Sequence, residues 1–181
     1  MVTPEKIIDY WYSERLRRHW FSSTPELDAE IVNNYEPVWE SARNGELDAW
    51  KGSPEGCLAL VIILDQFPLN MFRGTAKAFS TERMAVEAAM HAIENQFDKQ
   101  IAKDKLAFLF MPLMHSELLE EQDLSVRLFS ESGLTENLKF ANHHRELIRK
   151  FGRFPHRNKI LGRESTEEEI AYLQSANAFK G

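Results

Sequence analysis

The sequence predicts an all-α protein built from antiparallel helical hairpins. Two observations indicate this fold class: helix-start signals recur along the chain, and apolar residues between them repeat with helical spacing. Three starts share a hydroxyl residue at the N-cap and a proline at the first helical position, namely Thr3-Pro4, Thr24-Pro25 and Ser53-Pro54. Glycines that are typical of helix ends follow three periodic segments, at Gly45, Gly133 and Gly152.

These signals predict about seven helices and a short one near the C-terminus. The predicted helices cover residues 4–12, 25–43, 54–66, 81–96, 103–111, 117–132 and 136–151, and the short one covers 167–174. Pro37 should kink or split the second helix. Because the connections are short, consecutive helices should pack as antiparallel hairpins. We expect a single domain over residues 1–181.

The first three helices begin at the three hydroxyl-proline pairs. Each pair is followed by a glutamate, which is favourable at the positive end of a helix dipole. The helix over 54–66 contains "LALVIIL" with almost no polar residue, so we expect it to be buried on most sides. The single cysteine, Cys57, lies in this run and fits a small core residue better than a reactive thiol.

The later helices are predicted from apolar stripes. Segment 81–96 places Met84, Ala88 and Ala92 on one face. Segment 117–132 sets leucines and Phe129 opposite its glutamates. Segment 136–151 aligns five residues on one face: Phe140, His144, Leu147, Ile148 and Phe151. Both Ser165/Glu168 and Thr166/Glu169 fit a capping box, which predicts the short helix over 167–174.

Composition and charge exclude several classes of protein. The chain is 43% hydrophobic and 28% charged, which is ordinary for a globular protein. Its longest apolar run, residues 57–64, is far shorter than the roughly 20 residues that span a bilayer. The N-terminus lacks the basic and apolar regions of a signal peptide. We therefore expect a cytoplasmic protein without a membrane partner. The net charge of −6 also disfavours nucleic acid as a partner.

One segment runs against the acidic composition. Between Lys139 and Arg163 there are eight lysines and arginines and one acid, Glu146, so 8 − 1 gives a local charge of +7. One interpretation is internal pairing with acids such as Asp65, Glu117 or residues 167–169, since guanidinium groups meet carboxylates bidentately. The other is an anion site for a phosphate or carboxylate. Contact with a nucleic-acid backbone has little aromatic support here.

Two loops share one pattern, an aromatic-proline pair followed by asparagine and then arginine next to glycine. They are "DQFPLNMFRGTAKAFS" at 65–80, which we expect to be non-helical up to Ser80, and "RFPHRNKILGRES" at 153–165. Both are apolar enough to be held against the helices. We expect the two loops to meet and to line one groove. The predicted ligand-binding residues are Gln66, Arg73, Arg153, His156, Arg157, Asn158 and Arg163.

Catalytic candidates are few. Asp65 ends an apolar helix and must find a donor, either Arg73 or an arginine of the second loop, because an unpaired buried carboxylate is costly. Asp65 and His115 are the candidate general bases. A zinc site would have to combine His115 with Glu117, His144 and His156 across the fold, and none of their spacings is typical of zinc. We predict no metal and no cofactor, and we interpret His144 as a core residue.

Several stretches resemble one bacterial family. They are "LALVIILDQFPLNMFRGTAKAF", "FLFMPLMHSE", "HRELIRKFGRFPHRNKILGRESTEEEIAYL", "HWFSSTPELDAEI" and "ARNGELDAW". Together they are similar to the family called domain of unknown function 924, over about Trp11 to Leu173. The resemblance implies an all-α fold similar to tetratricopeptide-repeat hairpins, in a TPR-like superhelical arrangement, and it implies no activity, substrate or cofactor. This chain departs from the family's usual form at Leu69, where an arginine commonly precedes the asparagine.

The sequence leaves three hypotheses on function. The first is a binding module whose groove holds a peptide or small anion bearing carboxylate or phosphate. The second is a hydrolase or transferase that uses Asp65 or His115 as the base in the same pocket. The third is a structural role in which the arginines lock the loops to the helices and bind no ligand. The sequence does not determine the oligomeric state.

Overall fold

A computed structural model describes residues 2–181 and confirms the all-α class, since no strand occurs among these residues. The α-helices are α1 Pro4–Trp11, α2 Glu14–Arg17, α3 Pro25–Arg43, α4 Pro54–Val61, α5 Phe67–Met71, α6 Glu82–Glu94, α7 Leu106–His115, α8 Leu119–Glu131, α9 Thr135–Phe151 and α10 Glu167–Gln174. Short 3₁₀ turns occupy Asp48–Gly52, Ala76–Phe79, Phe97–Lys99, Lys103–Lys105 and Pro155–Arg157. None of the helices in residues 2–181 has the length and apolar character that crossing a bilayer requires.

The predicted helix starts are confirmed by their caps. The hydroxyl oxygens of Thr3, Thr24 and Ser53 each accept from a backbone N–H one turn into the helix, at 3.4, 3.3 and 3.1 Å. Of the two predicted capping boxes, Thr166 forms one with Glu169 at the start of α10. Helix α3 continues through Pro37 and is not split there.

The backbone contacts divide the chain into two compact units. The first runs to Arg73 and continues over Lys77–Pro112, and the second comprises Gly74–Ala76 and Leu113–Gly181. We describe each unit by itself.

The core of the first unit is apolar. Helix α4 is buried from Gly56 to its end at Val61, and α6 turns alanines toward it, so the two helices approach closely. An aromatic cluster joins α1 to α5 and α7, with Trp11 in edge contact with Phe67 and Phe108 at 5.8 and 5.4 Å. Cys57 is fully buried, as predicted, and burial raises its pKa to about 11.

A π-helical turn follows α4. Ile62–Gln66 widens the helix by one residue, and the Phe67 N–H donates to the carbonyl of Ile62. The expectation that residues 67–71 lie outside a helix is therefore wrong, because α5 continues directly from this turn. Proline at position 68 explains the widening, since it has no N–H for the carbonyl four residues earlier and its ring clashes with that carbonyl.

Thr81 supplies the hydrogen bond that Pro68 cannot. Its side-chain hydroxyl donates to the carbonyl of Leu64 at 2.6 Å and accepts from the indole Nε1–H of Trp39 at 3.0 Å. Thr81 and Trp39 are completely buried. A single hydroxyl therefore satisfies two buried polar groups at the π-helical turn.

The core of the second unit is more polar. Helices α8 and α9 form an antiparallel hairpin. Gln122 and Ser125 on the buried face of α8 are fully inaccessible, and His144 on α9 is 6% exposed. A smaller apolar cluster contains Leu147, Ile148 and Phe154, and three partly buried rings pack on it, those of Phe151, Tyr172 and Phe179.

Replacement of Thr81 by valine should destabilise the protein by about 2 kcal/mol, because it leaves the Leu64 carbonyl and the Trp39 indole without their partner. Urea unfolding measures this change. Thr81→Ser keeps the hydroxyl and loses only a methyl group, so it should cost less. Thr135→Val, at an exposed position, should change stability by less than about 0.5 kcal/mol. Equal losses in the valine and serine variants would show that the hydroxyl is unimportant.

Candidate functional site

The second aromatic-proline loop begins where α9 ends. Gly152 stops the helix in the left-handed conformation, with φ of 69°. Phe154 then leads into the 3₁₀ turn Pro155–Arg157, where the Arg157 N–H donates to the Phe154 carbonyl at 3.1 Å. The Arg163 N–H donates to the Asn158 carbonyl at 2.8 Å. We call residues 153–163 the arginine loop.

Arg153 is bound by a carboxylate of α10. Its Nε and Nη2 donate to the two carboxylate oxygens of Glu169 at 2.7 and 2.8 Å, and Nη2 also donates to the Glu164 carbonyl. Glu169 is only 2% exposed and accepts from the Asn158 amide at 3.1 Å as well. Hydrogen bonds from Arg153 are the largest cause that lowers the pKa of Glu169 to about 2. Arg153 is thus held in place from within the unit.

Arg163 is bound by Glu117. Its Nη1 and Nη2 donate to the two carboxylate oxygens at 2.6 and 2.9 Å, and its Nε donates to the side-chain oxygen of Asn158 at 2.9 Å. Glu117 also accepts from the Phe154 N–H at 2.7 Å. Burial alone would raise the pKa of Glu117, but the bonds from Arg163 and Phe154 outweigh it and keep the pKa below its ordinary value.

Other cations of the basic segment also lie against acids of the second unit. The closest approaches are Lys139–Glu136 at 2.7 Å, Arg145–Asp123 at 3.5 Å, Arg149–Glu146 at 3.0 Å and Lys150–Glu168 at 3.3 Å. These contacts favour the internal-pairing interpretation of the local positive charge. Each is largely exposed on at least one side, so each contributes little to stability.

His156 occupies a different environment from the paired arginines. Its ring lies between Phe154 and Phe179, with centroids 5.6 and 4.9 Å away. Its Nδ1 is buried and has no hydrogen-bond partner. Burial first, and then the charge of Arg157, lowers the pKa of His156 to about 4. The Arg157 guanidinium lies 4.7 Å above the Phe154 ring, and this residue is 6% exposed.

His144 is a buried core residue, as interpreted from the sequence. Its Nδ1 lies 2.8 Å from the Phe140 carbonyl one turn earlier, and its ring packs against Phe154 at 5.4 Å. Burial, and next the charge of His115, lowers the pKa of His144 to about 3. His115 is the last residue of α7. Despite these neighbouring histidines, no group of His, Cys, Asp or Glu within residues 2–181 could hold a metal ion.

The candidates from the first loop lie in the first unit and have their own partners. Asp65 and Gln66 are 3% and 6% exposed, and the Gln66 amide donates to the Asp65 carboxylate at 2.5 Å. Arg73, expected to pair with Asp65, donates instead to the two oxygens of Asp28 at 2.8 and 3.2 Å. The meeting of the two loops in one groove stays a prediction.

Sequence reasoning missed two residues that organise these sites. Asp28 accepts from Arg73, from the Asn70 amide at 2.8 Å and from the Ser23 hydroxyl at 2.7 Å. It lies in the first turn of α3, where an acid is expected for the helix dipole alone. Phe179 follows the last helix and carries no periodic signal. Its position against His144 and His156 could not be inferred from spacing.

An open cleft of about 440 Å³ lies elsewhere in the first unit. Its lining residues are Glu14, Arg15, Arg18 and His19. Arg15 is held bidentately by Glu30, and Arg18 pairs with Glu14. None of these was a predicted site residue.

Comparison with known proteins assigns the chain to a family. A family model described as "Bacterial protein of unknown function (DUF924)" matches residues 7–177. The chain belongs to the DUF924 family. A solved structure, "Structure of Protein of Unknown Function ATU0120 from Agrobacterium tumefaciens", is 36% identical to this chain. The match covers 94% of this chain and 96% of the other, with a TM-score of 0.89. No curated protein matches this DUF924 sequence.

The buried histidines predict loss of stability in mild acid. His144 is neutral in the folded protein until the pH approaches about 3, whereas an unfolded histidine titrates near pH 6.5. The contribution of neutral His144 to the free energy of unfolding is complete above pH 6.5. It falls as the pH drops, by up to about 1.4 kcal/mol per pH unit. Urea unfolding between about pH 6.5 and 4.5 measures this slope, and His144→Phe should reduce it.

The carboxylates do not interfere with this test, because carboxyl groups with lowered pKa values change the stability only at lower pH. The stabilisation from Glu169 is complete above its unfolded pKa near 4.5 and is lost toward pH 2. An unchanged slope in the His144→Phe variant would contradict the assignment. So would an NMR titration of the His144 ring centred near pH 6.5.

Proposed function

We propose that this DUF924 protein is a non-catalytic binding module that recognises a carboxylate or phosphate group on a peptide or small molecule. The contact residues are His156 and the neighbouring Arg157 in the arginine loop. The observation that supports this proposal best is the buried Nδ1 of His156, which has no hydrogen-bond partner. Buried polar atoms nearly always have a partner, so an unpaired one next to cationic side chains is a point where a ligand group can bind.

The local field also supports an anionic ligand. His156 faces two guanidinium groups, those of Arg157 and Arg163, and both disfavour its protonated form. Glu117 acts in the opposite direction but is itself bound to Arg163. The positive potential that disfavours protonation of His156 also attracts an anion. Binding of the anion would then favour protonation of His156, and the charged ring would donate to it.

The remaining candidates have supporting roles in this proposal. Arg153, Asn158 and Arg163 shape the loop, because their donors are directed at Glu169 and Glu117. Gln66 and Arg73 likewise donate to carboxylates of the first unit. In this proposal these five residues have the structural role of holding loops in place. Ligand recognition is assigned to His156 and Arg157.

An enzymatic role through Asp65 or His115 is the competing hypothesis. One observation favours it, since π-helical turns are frequent at functional sites and Asp65 lies in one. Such a role requires turnover. A broad screen of hydrolase and transferase substrates that yields product with wild-type protein, and none with Asp65→Asn, would replace the binding proposal.

Titration with inorganic phosphate tests the proposal. The His156 ring resonance, followed by NMR, should shift on binding, and the pKa of this ring should rise from about 4. Because binding is linked to proton uptake, affinity should increase as the pH falls from about 7 to 5.5, by up to tenfold per pH unit. N-acetyl-L-alanine, which carries one carboxylate, should compete with phosphate.

His156→Phe should abolish phosphate binding while keeping a ring between Phe154 and Phe179. His19→Phe, a change in the first unit, serves as the matched control and should bind as the wild type does. Phosphate binding that survives His156→Phe, or that ignores pH, would place the anion elsewhere and refute the proposed contact.

A further inference from the structure

The chain folds back over the arginine loop after its last helix. Residues 175–181 form no regular element beyond a turn, and most of them are exposed. We call them the C-terminal segment. Phe179 is its one partly buried aromatic residue, and it packs on the cluster of Leu147, Ile148 and Phe154.

Phe179 inserts its ring among imidazole rings. Its centroid lies 4.7 Å from that of His144, 4.9 Å from that of His156 and 6.0 Å from that of His143. The interplanar angles are 64°, 82° and 65°, which is the edge-to-face geometry that aromatic pairs prefer. Phe154 lies behind these histidines, in contact with both His144 and His156.

The C-terminal segment is held by little besides this ring. The Phe179 N–H donates to the hydroxyl oxygen of Tyr172 at 2.8 Å, and the Ala178 N–H donates to the Ser175 carbonyl at 3.2 Å. Further along, Gly181 lies against His156, since a methyl group on its Cα would come within 3.3 Å of the imidazole. The segment therefore covers His156 with few bonds of its own, and elements so held open readily.

We propose that the pocket walled by His143, His144, Phe154 and His156 binds an aromatic side chain of a partner peptide, and that Phe179 occupies this pocket in cis. This inference rests on the proposed function, which it deepens. The ligand is then a peptide in which an aromatic residue stands next to the carboxylate or phosphate group that His156 contacts. Release of the C-terminal segment uncovers both subsites together.

The charges around the pocket fit a ring beside an anion. His156 faces Arg157, Arg163, Glu117 and His115, and His144 faces His115 and His143. Without a bound anion, the lowered pKa values of His144 and His156 keep these two imidazoles neutral, which suits an uncharged ring such as that of Phe179.

Three small probes separate the two subsites. N-acetyl-L-phenylalanine carries the ring and a carboxylate, its amide carries only the ring, and N-acetyl-L-alanine carries only the carboxylate. Calorimetric titration compares wild-type protein with Phe179→Ala and with Tyr172→Phe. Tyr172→Phe removes the hydroxyl that accepts from the Phe179 N–H and leaves the pocket walls unchanged. It therefore measures the effect of releasing the segment even if Phe179→Ala folds poorly.

Both variants should bind N-acetyl-L-phenylalanine at least about fivefold more tightly than the wild type, because a larger fraction of molecules has an open pocket. Binding of N-acetyl-L-alanine should also tighten, because release of the segment uncovers the anion subsite too, but it should remain weaker than binding of N-acetyl-L-phenylalanine. Phe140→Ala removes a phenylalanine that is 56% exposed on α9 and is the matched control, which should bind all three probes as the wild type does.

The outcomes distinguish the two proposals. If N-acetyl-L-alanine binds but neither variant improves binding of N-acetyl-L-phenylalanine, the pocket and its cis occupant are refuted while the anion site stands. If the variants bind the amide as tightly as the acid, the anion site is refuted and the aromatic pocket is supported. If no probe binds any variant, both are refuted.

Discussion

The second unit depends on the hydrogen bonds that the Glu117 carboxylate accepts from the arginine loop. This carboxylate accepts two hydrogen bonds from Arg163, 46 residues further along the chain, and one from the Phe154 N–H, 37 residues further along. A second carboxylate, that of Glu169, holds Arg153 and Asn158 from the other side. A loop rich in arginine thereby folds without a ligand, since each clamped guanidinium has a fixed acceptor and the backbone between them is held in one conformation.

This clamp gives the arginines and the histidine different roles. Arg153 and Arg163 donate to carboxylates, so they fix the conformation of the loop and are not assigned to ligand binding. His156 is carried by the same loop into an aromatic environment with a buried nitrogen that has no partner. The π-helical turn of the first unit is stabilised in a similar way. There the Thr81 hydroxyl donates to the Leu64 carbonyl, for which Pro68 has no N–H. In both units, an irregular segment is stabilised by a few side chains that are distant from it in the sequence.

Much of the fold follows from the sequence because helix caps and apolar stripes are local signals. Thr3, Thr24 and Ser53 cap helices where they were expected to, and α9 ends at Gly152. What the sequence did not reveal depends on distant contacts. Pro68 disfavours a continuous helix, yet the Thr81 hydroxyl, 13 residues later, supplies the hydrogen bond that the proline cannot. The basic segment allowed pairing or ligand binding, and only geometry shows that Glu117 and Glu169 reach Arg163 and Arg153. Phe179 follows no pattern, so its place among the histidines was unpredictable.

A double-mutant cycle on Glu117 and Arg163 tests the central claim most directly. Glu117→Gln, Arg163→Gln and the double variant are unfolded in urea, and the coupling energy is taken from the four stabilities. We predict a coupling of about 1.5 kcal/mol, as expected for a partly buried bidentate pair. The exposed pair Lys150–Glu168, at 3.3 Å, provides the control cycle and should couple by less than about 0.5 kcal/mol. Equal, near-zero coupling in both cycles would contradict a carboxylate clamp on the arginine loop.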